Sequence, residues 1–235
     1  MLNKEQIEEN KAKFLELLEK IKEYRTGVDW DKLTNYLETS GFFTAPASRL
    51  LHSAYMGGLC EHSLNTYEAM MVLVDMTFPD EVVTEEDGTV KSNPTCPYAW
   101  NVLATVALLH DIGKANLYEA SVRNKKVYSA SGTKYDQLGK YDWISEPSWE
   151  KRELDQRFMY GNTEENSVFK LLEFMKLSKE ETVAILHHSG YFADNYERTI
   201  EYAYAYSKSP LCALLHLADE YAMYLMECND LVNYE

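Results

Sequence analysis

From residue 4 to 24 the apolar positions Ile7, Phe14, Leu17, Leu18 and Ile21 recur at helical spacing among Glu and Lys. That pattern predicts a helix with one stripe turned to a core. A second helix follows with Asp29 as its cap, and GFFTAPA at 41–47 reads as a loop. Gly57 and Gly58 precede LCEHSLNTYEAMMVLVDMTF, a periodic run that predicts a long buried helix ending near Pro79. Residues 79–97 read as loop. PYAWNVLATVALLH then begins with Pro97 near its first turn and stays apolar almost without interruption up to His110, Asp111 and a stop at Gly113. A helix that is apolar all round lies at the centre of a protein.

Between about 115 and 160 the periodicity breaks up, with Tyr, Ser, Gly and Lys dispersed, and only the stretch around KKVYSASGTKYD suggests a small hairpin. It reads as an insertion or lid. Helical spacing resumes at about 164–176 and again from Ser178, where Ser178 and Glu181 have capping-box spacing ahead of VAILHH. A last helix starts at Ser209 and Pro210 and carries LCALLHLADEYAMYLM. The expected fold class is therefore all-α: a helical bundle over 42–235, with a short irregular or hairpin insertion, preceded by a helical extension over 1–41 packed on it.

The 235 residues, 46% hydrophobic and 26% charged, are enough for a substantial globular core. A formal charge of −15 argues against a duplex-binding protein, which needs a surplus of Lys and Arg on its contact face, but leaves room for a small anionic substrate neutralised by a metal. Cys60, Cys96, Cys212 and Cys228 lie far apart, which favours reduced thiols over a disulfide framework. The charged amphipathic N-terminus lacks the apolar core of a secretory signal, and no run approaches the length of a membrane span. A cytoplasmic protein without a membrane partner is expected; the oligomeric state is left open.

The chemistry sits inside the apolar runs. His110 and Asp111 stand together at the end of the most apolar helix, where a carboxylate costs several kcal/mol unless it is paired or bound to a cation. Asp219, inside LLHLADEYAMY, poses the same problem, and His62 lies in another apolar helical run. Singly, such a histidine is more often a hydrogen-bonded core residue, and such an aspartate as often forms a helix-to-helix salt bridge. Together, three helices can aim imidazole and carboxylate groups at one point. Without thiolate, such a set favours Mn, Fe, Ni, Co, Zn or Mg.

The order His62, His110-Asp111 and Asp219 resembles the HD-domain superfamily of metal-dependent phosphohydrolases. More narrowly, FFTAPAS at 42–48, the spacing from His52 to GGLCEHSLNTYE, and ALLHDIGK at 107–114 resemble a bacterial and phage-type group of HD proteins, over about residues 42–225. The resemblance implies that His62, His110, Asp111 and Asp219 are metal ligands, and that water activated at the metal attacks a phosphate ester. His188 matches a position that binds a second ion in some members and lies near the phosphate in others. Related sequences often carry a GHGE-like motif where this chain reads GNTEEN at 161–166, so a histidine is missing and a mononuclear centre is expected. Asp111, Lys114 and His188 are the expected catalytic groups. Arg49, His52 and Lys114 are the expected substrate-binding groups.

The implied substrate is small and phosphorylated, a nucleotide or short oligonucleotide included, as monoester or diester. Two other readings stand beside it. HSAYMGGLCEHSL also resembles the HD portion of some bacterial 3′-end exoribonucleases, and a catalytically silent nucleotide-binding sensor would share the fold. From 113 to 140 six basic residues face two acidic ones, a local surplus of +4 (six minus two) that can steer anions, and Tyr118, Tyr128, Tyr135 and Tyr141 offer stacking surfaces. An ordinary solvated loop has the same composition. His187 and His216 are taken as core residues or supports of neighbouring ligands.

Overall fold

The computed structural model describes residues 1–85, 87, 89–190 and 196–227, and the side chains of 196–198 are not described. Helix α1 spans Lys4–Tyr24 and α2 Trp30–Thr39. Asn3 opens α1 with a reciprocal capping box to Gln6, and Asp29 caps α2 as its position predicts. Phe14, Leu17, Leu18 and Ile21 are the buried stripe of α1. Phe14 meets Phe42 and Phe43 of the 41–47 turn with ring centroids 5.1 and 5.7 Å apart, so the N-terminal helices share one core with the rest.

Helix α3 spans Gly58–Thr77 and α4 Trp100–Leu109. Pro97 stands three residues ahead of α4, outside its first turn. Seven consecutive residues, Leu103 to Leu109, are buried, which makes α4 the axis of the molecule. After it come α5 (Thr163–Leu172), α6 (Lys179–His187), α7 (Tyr196–Lys208) and α8 (Pro210–Tyr221), continued by a π-helical turn at Ala222–Glu227. Ser178 opens α6 with the predicted capping box to Glu181, and Ser209 caps α8 with Pro210 in its first turn. Helix α7 was not anticipated: its EYAYAYSK pattern alternates tyrosine and small residues and carries little apolar periodicity. No helix among the described residues is long and apolar enough to cross a membrane.

The all-α expectation is corrected by two antiparallel sheets, which make the fold mixed. Strands β1 (Glu81–Thr84) and β2 (Val90–Asn93) form a hairpin where a loop was expected. Strands β3 (Tyr118–Tyr128), β4 (Lys134–Asp136) and β5 (Gly139–Lys151) form a sheet in the order β3-β5-β4, far larger than the small hairpin foreseen at 115–160. Both β1 and β2 are exposed along their whole length, and β3 and β5 are mostly so. A strand with water on both faces shows no alternation of apolar and polar residues, the signal by which strands are read. Pro147 also argues against a strand. It is tolerated because β4 pairs only with the first residues of β5, leaving Pro147 on an edge opposite Val122.

The sheet is held by side-chain pairs across its strands. Arg123 bonds Glu146, and Lys126 reaches Asp136 at 2.6 Å with its ammonium 4.2 Å from the Tyr141 ring. One anchor ties it to the helical part: Trp149 Nε1 donates to the Ala54 carbonyl at 3.1 Å.

Candidate metal centre

Three helices and one turn bring the chemistry together. Helix α3 packs against both α4 and α8, so His62 faces His110 at the end of α4 and Asp219 in α8. Asp111 leaves α4 at φ −105°, ψ 16°, and Ile112–Lys114 continue as a 3₁₀ turn. That turn lies so close to α5 that a Cβ on Gly113 would stand 2.7 Å from Ser167 N and 2.8 Å from Thr163 O. Only glycine fits there. Gly113 N donates to Ser167 Oγ at 3.0 Å, fixing the turn that carries Asp111.

His62, His110 and Asp111 are fully buried and Asp219 nearly so. His62 Nε2 lies 3.0 Å from Asp219 Oδ1, 3.3 Å from His110 Nε2 and 3.6 Å from Asp111 Oδ2. His110 Nε2 lies 3.5 Å from Asp111 Oδ2 and 3.8 Å from Asp219 Oδ1. Donors about 2.1 Å from a shared ion stand about 3.0–3.4 Å from their neighbours, so these separations suit a cation with slight contraction. Among the described residues the potential ligand atoms group as three overlapping triads: His62, His110 and Asp219; His110, Asp111 and His188; and His52, His62 and Glu227.

The buried charges compensate one another. Burial opposes ionisation of Asp111, yet the Lys114 and His110 side chains outweigh it and hold the carboxyl well below its usual range. Asp219 behaves likewise, with the bond from His62 overcoming burial. Burial also opposes charge on His62, but Glu227 and Asp219 raise it to about 10. His110, where burial dominates, is lowered. Neither oxygen of Asp111 receives a hydrogen bond of acceptable geometry, although Lys114 Nζ lies 2.5 Å from Oδ2. The Lys114 ammonium is the cation that offsets this buried carboxylate here. Buried His and Asp groups that can hold a metal ion are thus present; the donor set does not select which one.

The other anticipated residues divide into those at the centre and those at its margin. His188 Nε2 lies 3.5 Å from Asp111 Oδ1, with its Nδ1 donating to the Ile185 carbonyl at 2.7 Å. The largely buried Lys114 is raised above its ordinary range, because Asp111 outweighs the burial that opposes its charge. His52 is buried against His62, ring centroids 4.9 Å apart, with no partner at Nε2. Burial, with His62 and Lys114 adding, lowers it to about 4. Arg49 is exposed and lines a cleft of about 230 Å³ between its loop and the β3–β5 sheet, with Arg123 and Trp149.

His216 donates from Nδ1 to the His188 carbonyl at 2.8 Å, and His187 to the Val183 carbonyl at 2.9 Å. At 162, where the related histidine is missing, Asn162 caps α5 by accepting from Glu165 N. The basic surplus of 113–140 is largely answered by acids: Arg123 and Lys125 face Glu146, and Lys126 faces Asp136. Tyr128 and Tyr141 contact each other, centroids 5.7 Å apart. Cys60, Cys96 and Cys212 are free thiols; Cys228 lies outside the described residues.

Sequence reasoning missed Glu227. Its Oε1 accepts from His62 Nδ1 at 2.9 Å and Asn65 Nδ2 at 3.1 Å, and its Oε2 from Ser53 Oγ at 2.8 Å. The available signal was an acid ending the run YAMYLM, eight residues beyond Asp219. No family model, no curated protein and no solved structure matches this chain.

Proposed function

We propose that this chain is a metal-dependent phosphohydrolase whose divalent cation is held by His62, His110, Asp111 and Asp219. The observation that carries the reading is the meeting of these side chains at the centre of the helical core, where two buried carboxylates and three imidazoles stand within 3.0–3.8 Å of one another. The resemblance of the His62, His110-Asp111, Asp219 order to the HD superfamily supports it.

When bound, an ion such as Mn, Fe, Ni, Co, Zn or Mg supplies Lewis acidity and an activated water at neutral pH. Lys114, 2.5 Å from Asp111, brings an ammonium that can neutralise charge developing on a phosphate oxygen. His188 Nε2, beside Asp111 and 3.3 Å from Ser189 Oγ, can hold a proton for transfer. As water oxygen bonds to phosphorus, the ester P–O bond breaks, and the proton lost by water ends on the departing oxygen. Arg49, exposed on the loop ahead of α3, offers a cation to an anionic substrate. A nucleotide or related phosphate monoester or diester is the substrate class.

The test is hydrolysis of a panel of phosphate monoesters, diesters and nucleotides with added Mn, Ni, Co or Mg. Wild type should turn over at least one class only with metal, and Asp111→Ala should abolish that turnover. Turnover that survives Asp111→Ala, or that persists in chelator, contradicts the assignment.

A further inference from the structure

Three buried histidines turn Nε2 toward the centre, and each has its Nδ1 occupied. For His110 the partner is the Ala107 carbonyl at 2.8 Å, and for His188 the Ile185 carbonyl at 2.7 Å, both one turn back on their own helices. A carbonyl only accepts, so in both rings Nδ1 carries a proton and Nε2 is the atom turned to the centre, 3.3 Å from His62 Nε2 in His110 and 3.5 Å from Asp111 Oδ1 in His188. His62 is different: its Nδ1 meets no carbonyl of α3 but the Glu227 carboxylate, 165 residues away in the chain.

That carboxylate is held on every side. Besides His62 it accepts from Asn65, one turn further along α3, and from Ser53. Ser53 adopts φ 43°, the one positive φ at a non-glycine position among the described residues, and such a conformation persists only where surroundings impose it. The start of α3 is pressed against this residue: a Cβ on Gly58 would lie 2.0 Å from the Ser53 carbonyl oxygen. The winding of the last turn adds a second device. At 3.6 residues per turn, eight residues overshoot two turns by about 80°, so an ideal helix would carry Glu227 off the face that presents Asp219. The π-helical turn Ala222–Glu227 is wider and brings Glu227 back toward that face.

We infer that Glu227 is the positioning residue of the metal centre, a carboxylate that holds the proton on His62 Nδ1 and so presents Nε2, which otherwise bonds Asp219, to the ion. It rests on the metal reading proposed above. A carboxylate behind an imidazole makes the ring a better donor than a carbonyl does, and the loss of such a partner costs about 10–100-fold in metal affinity. Within the centre, His62 is therefore the strongest imidazole donor, and the C-terminal turn is part of the site.

Metal-free wild type, Glu227→Ala and Glu227→Gln are titrated with Co²⁺, following affinity and the visible spectrum at saturation, alongside thermal unfolding of each metal-free protein. Glu227→Ala is expected to bind Co²⁺ about 10–100-fold more weakly and with an altered spectrum. Glu227→Gln, which keeps an acceptor oxygen but no charge, should recover the spectrum and part of the affinity. Co²⁺ bound by Glu227→Ala with wild-type affinity and spectrum overturns the inference and leaves the metal reading intact. Should Glu227→Ala not fold, wild-type affinity in Glu227→Gln overturns it in the same way. Wild type that binds no Co²⁺ overturns both.

Discussion

Around α4 the chain takes its side chains out of water almost completely, with Leu103 to Leu109 buried in succession, whereas along β3 and β5 most positions stay exposed. Polar groups mean different things in the two regions. In the helical core an ionised carboxylate must be compensated, as Asp111 is by Lys114 and Asp219 by His62. In the sheet a charge stays hydrated and pairs cheaply with its neighbour, so Arg123 opposite Glu146 says little about function.

Leu108 is fully buried in α4. Leu108→Ala should cost about 2–5 kcal/mol in urea unfolding, through lost burial and the cavity left behind. Next comes Arg25, which ties the end of α1 to Glu181 in α6 with side-chain exposures of 10% and 5%. Arg25→Ala should cost about 1.5–3 kcal/mol, because Glu181 loses a charged partner where water is scarce.

The same pair sharpens the contrast through pH. Burial opposes the Glu181 charge, but the bonds from Arg25 and Ser178 outweigh it and leave the carboxyl below its ordinary 4.5. A depressed carboxyl contributes stability above the unfolded value, and that contribution fades as pH falls through the lower folded value. Arg25→Ala should therefore lose less stability than wild type on acidification below about pH 4.5. In the sheet, by contrast, Arg123→Ala should cost less than about 1 kcal/mol, and less still in high salt. Val122→Ala, at a position 68% exposed, should change stability by about 0.5 kcal/mol or less.

Legibility in the sequence followed the same divide. Helices that bury one stripe or a whole surface left a period to read, and their caps at Asp29, Ser178 and Ser209 were visible as residue types. The β3–β5 sheet left none, since its cross-strand partners lie up to 33 residues apart at Tyr118 and Lys151 and its faces are both wet. Of the site, His62, His110, Asp111 and Asp219 were legible because each sits in an apolar run where its polarity is out of place. Glu227 was not: its role depends on a π-helical turn and on a contact across the chain, and neither leaves a local pattern.

Whether the buried histidines and aspartates hold a cation is decided by counting metal. Chelator-treated wild type and His110→Ala are dialysed against Mn²⁺ in metal-free buffer, and bound metal per chain is measured by elemental analysis. The account predicts a stoichiometric ion in wild type, recovered after each cycle of removal and reloading, and next to none in His110→Ala. Wild type that retains no ion, or His110→Ala that retains as much, would contradict it.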